Sequence, residues 1–155
     1  MSRYALSHLA DRTLLRDLTV LVAQDRTTTA ELLAHIAEVD ARKLYLPAAY
    51  PSMHAYCLGE LHFCEQAAFK RILAARTARR FPAILDAVAE GRLHLTGVVL
   101  LAPHLTEGTA DDLLAAATHK SKAEIERLLA ASFPRADVLD RVEATPASHP
   151  TESVE

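Results

Sequence analysis

Residues 51–82 read PSMHAYCLGELHFCEQAAFKRILAARTARRFP, and this stretch decides the fold. Ser52, just after Pro51, is placed to cap a short helix over Met53 to Leu61, because its hydroxyl can accept from a free amide of the first turn. The segment HFC then makes a brief turn. Glu65 opens a longer helix that must stop before Pro82, since a proline disfavours a helical residue ahead of it. A short helix, a tight turn and a longer second helix have the size of a helix–turn–helix, here at about 52–81.

Outward from this unit the same punctuation predicts helices on both sides. Upstream, Leu14, Leu18, Leu21 and Val22, then Leu32, Leu33, Ile36 and Val39, keep helical spacing. Thr28 and Glu31 between them have capping-box spacing, so a helix pair would also fit. With no Gly or Pro inside, one long helix over about 6–44 is the favoured reading. Downstream, Pro82 suits the first turn of a helix over 83–90, with Gly91 as its stop. Further helices are predicted over about 97–101 and 107–118, and Ser121 and Glu124 cap another that runs to about Ala131. From residue 134 the pattern dissolves into a polar, proline-bearing tail, expected to be disordered. The expected fold is all-α: a multi-helix bundle in one domain, residues 1–133, with a long N-terminal helix or helix pair.

Composition agrees. The chain has 155 residues, half of them hydrophobic, with four Gly and no Trp, enough for one domain with a real core. No apolar run approaches the roughly 20 residues needed to span a bilayer, and the N-terminus lacks the order of a signal peptide. A cytoplasmic location is the expectation.

Charge is distributed unevenly. Five cations and no acid lie between Lys70 and Arg80. Residues 62–82 carry five bases and one acid, a local +4 in a chain of net −3, leaving −7 elsewhere. Such polarity suits nucleic acid, and it suits an acidic protein surface equally well. Stepping about 100° per residue from Phe69 puts Ala68, Ile72, Leu73 and Ala75 on one side, the expected core face. Gln66, Lys70, Ala74 and Thr77 fall on the outward side, with Ala67 and Arg71 further round. Gln66, Lys70 and Arg71 are therefore expected to meet base edges, with alanines permitting close approach. Arg76, Arg79 and Arg80 continue the Phe69 stripe and are expected to clamp phosphates or carboxylates.

Four blocks, YLPAAYPSMHAYC, AAFKRILAARTARRFP, GRLHLTGVVLLAPHLT and ATHKSKAEIERLLA, resemble in order the N-terminal, pre-nuclease helical region of a bacterial family of HNH-endonuclease-type proteins. The likeness spans roughly Leu14 to Arg135. AVAEGRLHLTGVVLL is also similar to the helix after the helix–turn–helix of ParB-like DNA-binding proteins. The resemblance implies DNA as partner. In that family a ββα-metal nuclease with histidines and an asparagine follows, whereas this chain ends at Glu155 and contains no Asn and no paired histidines. A binding module without catalysis is therefore expected. Cys64 stands at the helix cap where the family usually has Ser, and Phe69 where it often has Tyr.

Other chemistry is weaker. The eight histidines form no HxH or HExxH pair. Cys57, His62 and Cys64 match no common zinc spacing and lack a fourth ligand, so no metal and no cofactor is expected. Cys64 sits at a helix N-terminus, a setting that suits a reactive thiol, yet no oriented base is readable. HKSK at 119–122 sets cations beside the Ser121 cap, a pattern shared by phosphate contacts and plain solvated loops. The alternatives are self-association or protein interaction through the long N-terminal helix, giving a homodimer, or the remnant of a truncated HNH endonuclease; no small-molecule ligand is evident.

Overall fold

The computed structural model describes residues 2–134. Among them are seven α-helices and no strand: α1 (Asp11–Arg42), α2 (Met53–Gly59), α3 (Glu65–Arg80), α4 (Ala83–Ala89), α5 (Leu95–Leu101), α6 (Ala110–Ala116) and α7 (Lys122–Ser132). A 3-10 turn, Ala102–His104, extends α5. The all-α expectation holds. The tail, from residue 135, lies outside the described residues.

The helix ends follow local chemistry. Ser52 Oγ accepts from the Ala55 amide at 3.0 Å, and Ser121 Oγ from that of Glu124 at 3.2 Å. Cys64, at the α3 cap position, makes no side-chain bond to the helix. Gly91 stops α4 with φ +75°, and the Gly91 and Arg92 amides close back on Val88 and Ala87, as a left-handed terminus requires. The reading of 97–101 as a helix starts too late, because His94 caps α5: its Nδ1 accepts from the Gly97 amide at 2.9 Å. Helix α6 is also shorter than expected, since Thr106 and Thr109 bond one another and occupy the turn before it.

Helix α1 is continuous for 32 residues, about 48 Å. Thr28 and Glu31 do not break it. Its two halves differ sharply. Ala30, Leu33, Ile36 and Ala37 are buried, whereas no residue from Asp11 to Thr29 is. The first half leaves Leu14, Leu15, Leu18, Leu21 and Val22 exposed.

The core gathers around α3, which packs against α1, α2, α4, α5 and the 3-10 turn. Leu33, Cys57, Ile84, Val98, Leu101 and Ile125 are its largest fully buried side chains. Helix α3 itself contributes mostly small groups: Ala68, Ile72, Ala74, Ala75, Thr77 and Ala78 are all buried. Alanines on several sides let neighbouring helices approach closely, and dispersion contacts replace side-chain bulk. Thr77 is tolerated there because its hydroxyl donates to the Leu73 carbonyl at 2.7 Å.

This packing corrects the angular reading of α3. Phe69 does not face the core; it is 60% exposed. Ala74 and Thr77, expected outward, are buried. The error came from taking the largest apolar side chain as the centre of the buried face. A helix enclosed by four helices and a 3-10 turn hides most of its circumference, and Phe69 lies in the arc left open.

Candidate nucleic-acid interface

The open arc of α3 carries Gln66, Phe69, Arg76 and Arg80, all exposed, with Leu73 half-buried among them. At about 100° per residue these five positions span roughly 80° and run the length of the helix. Arg76 and Arg80 thus share a face with Gln66, contrary to the expectation that they leave it. Lys70 sits half-buried at one edge of the strip and Arg79 is exposed at the other. Two hollows flank Phe69. One is lined by Ser52, His54 and Leu73 among others, the other by His54, Gln66, Lys70 and Val99.

The cations of the strip are not equivalent. The Arg76 guanidinium donates twice to the Asp40 carboxylate of α1, at 2.8 and 3.0 Å. Arg79 Nη1 donates to Glu38 Oε2 at 3.1 Å, and Arg42 Nε donates to Oε1 of the same carboxylate at 2.6 Å. Those bonds, Arg42 first and Arg79 second, hold the Glu38 carboxyl below its ordinary pKa. Asp40 raises the Arg76 pKa. Arg80 lies over the Phe81 ring at 5.1 Å and, like Lys70, has no carboxylate partner among the described residues.

Arg71 has left this surface. Two positions after Phe69, it lies about 200° round the helix. Its guanidinium stacks on Phe63, 5.2 Å from the ring centroid. It lines an open cleft of about 650 Å³ where the root of α1 meets the α4–α5 and α6–α7 connections. The expectation that Arg71 joins Gln66 and Lys70 in one groove therefore fails, because the half-turn between positions 69 and 71 puts Arg71 behind the helix.

Cleft residues come from distant parts of the chain. Arg26, Arg71, Arg92, Lys120 and His119 line it, together with the carboxylates Asp25 and Glu124. Two cross-links fix its walls: the His119 amide donates to the Arg92 carbonyl at 2.8 Å, and His94 Nε2 lies 3.1 Å from the Lys120 carbonyl. With Nδ1 accepting from Gly97, Nε2 is the donor in this second link. Arg92 is paired with Glu90 at 2.6 Å. Nothing in the spacing of residues 26, 71, 92 and 120 announces a cluster; only the HKSK segment hinted at one of its members.

Among the described residues, no group of three or more His, Cys, Asp or Glu side chains is placed to hold a metal ion. Cys57 is buried and Cys64 exposed, and burial raises the Cys57 pKa. No described helix is long and apolar enough to cross a membrane. In comparison with known proteins, the chain matches no family model, no curated protein and no solved structure.

Proposed function

We propose that the chain is a helical DNA-binding module that presents the open arc of α3 to a duplex. The observation that carries this reading is the composition of that arc: Gln66, Phe69 and Arg80 exposed together, with Lys70 beside them, on the second helix of a helix–turn–helix-sized unit. Gln and Arg can bond base edges in a major groove, and an exposed aromatic can contact a thymine methyl. Lys70 and Arg80, without carboxylate partners among the described residues, supply the phosphate contacts that give affinity. Arg76 and Arg79 contribute less, since each already has an acid of α1. The resemblance to HNH-type proteins points to the same partner, and no cleavage is part of the proposal.

Fluorescence anisotropy with mixed-sequence duplexes at two salt concentrations tests it. Binding should weaken steeply with salt, and Lys70→Gln with Arg80→Gln should lower the log–log slope by about two. Absence of binding at low salt, or binding indifferent to Phe69→Glu and Arg80→Gln, would sink the idea.

A second reading is self-association through the first half of α1. It is favoured by one observation: Leu14, Leu15, Leu18, Leu21 and Val22 are exposed on a helix segment with no buried residue. Two such helices in register would remove these side chains from water. Light scattering should then give a dimer mass that Leu18→Glu reduces to a monomer; a monomer at all concentrations excludes it.

A further inference from the structure

The cleft behind α3 is a candidate site in its own right. We propose that it binds a phosphate group. Arg26, Arg71 and Lys120 line it, and none has a carboxylate within salt-bridge distance among the described residues. In a chain of net −3, the cleft lining holds four Arg or Lys against the two carboxylates Asp25 and Glu124, a local +2 that opposes the general charge and favours an anion.

Three further features specify the anion. Arg71 Nε is the one buried side-chain polar atom without a hydrogen-bond partner among the described residues. Because that Nε is shut off from solvent, the donors the guanidinium can offer an oxyanion are its two Nη groups, held over the Phe63 ring. The Arg26 guanidinium lies against Gly91, where a Cβ would come within 2.6 Å of Nη1 and push the side chain aside. The N-terminus of α7, an 11-residue helix capped by Ser121, also lines the cleft and adds the positive end of its dipole. Together these favour a dianion with several acceptor oxygens over a single carboxylate. Asp25 and Glu124, also in the lining, repel an anion of any size, so the phosphate is held by the cations in excess of them.

The volume, about 650 Å³, is in the range of small-molecule sites and exceeds what inorganic phosphate alone needs. A phosphate carried on a small ester or mononucleotide fits this size. The other source of the same group is a backbone phosphate of DNA. Because Arg71 and Phe69 lie on opposite sides of α3, the cleft does not depend on the proposed duplex surface.

Thermal unfolding of the full chain, in sodium phosphate, in AMP and in sodium chloride at matched ionic strength, tests the site. Phosphate or AMP should raise the Tm relative to chloride, by mass action on the folded state. Arg26→Gln with Lys120→Gln should abolish the difference while the protein still unfolds cooperatively. If neither compound shifts the Tm but the double variant binds duplex about tenfold more weakly with a shallower salt slope, the group is a backbone phosphate and the site stands. If Tm and duplex affinity are both indifferent to the double substitution, the proposal is overturned. A wild-type chain that binds no duplex defeats only the α3 reading; the Tm comparison then decides the cleft alone.

Discussion

Arg76 and Asp40 form a two-pronged ion pair, Nε to Oδ2 at 2.8 Å and Nη2 to Oδ1 at 3.0 Å, that fastens α3 to α1. Asp40 is the more sheltered partner, its side chain 17% exposed against 59% for Arg76. The planar fork makes both bonds at once, which a lysine could not. Much of the arginine remains in water, so the pair is worth no more than about 1 kcal/mol. A double-mutant cycle with Asp40→Asn and Arg76→Gln, followed by denaturant unfolding, should return a coupling of that size. Coupling near zero would mean that the two groups are held side by side by the helix packing alone.

Glu38 predicts an acid limb. Its folded pKa is depressed, by Arg42 and then Arg79, from an ordinary 4.5. A depressed carboxylate stabilises fully above its unfolded pKa, and that contribution fades as pH falls through the lower folded value. Stability should therefore decline below about pH 4.5, and Glu38→Gln should flatten that decline while leaving a lower plateau near neutrality. Thermal unfolding between pH 3 and pH 7 measures it. An unchanged profile in the variant would show that Glu38 is not coupled to folding.

The two cysteines should separate by accessibility. Cys57 is fully buried and its thiol pKa raised, while Cys64 is exposed. Only the thiolate reacts quickly with a disulfide reagent. One equivalent should react in the native protein and the second only in denaturant. Rapid reaction of both under native conditions would contradict the core described for α2.

His94 should matter for stability more than an exposed polar residue usually does. Its ring caps α5 and bridges to the Lys120 carbonyl. His94→Ala removes both bonds and should cost about 1–2 kcal/mol. His94→Asn, which restores a cap acceptor, should recover part of it. Equal losses in the two variants would point to ring packing as the cause.

Some helix ends were legible because the residues that set them act locally, while the starts of α1, α5 and α6 were misplaced. Ser52, Ser121, Pro82 and Gly91 each impose their effect within a turn, and each does so here. The facing of α3 was not legible, because alanines carry no amphipathic signal strong enough to outweigh one phenylalanine. Nor were the partners of Arg76 and Arg79, which lie about 40 residues upstream. Of the six residues expected to form the site, Gln66, Lys70, Arg76, Arg79 and Arg80 share or border one exposed strip. Arg71 went elsewhere. The cleft it joined draws on residues that only the tertiary fold makes neighbours, and no spacing rule reaches that far.

Helix α1 has a mechanical consequence. It is held from Ala30 onward and unburied before that, so the stretch from Asp11 to Thr29 is a lever about 28 Å long whose fulcrum adjoins the cleft. Asp25, Arg26 and Thr29, at that fulcrum, line the cleft. A tilt of only about 10° there would carry the tip at Asp11 roughly 5 Å, close to one helical pitch. A small displacement of Arg26 over Gly91 would thus be magnified at the far end of the rod, where the exposed leucines are.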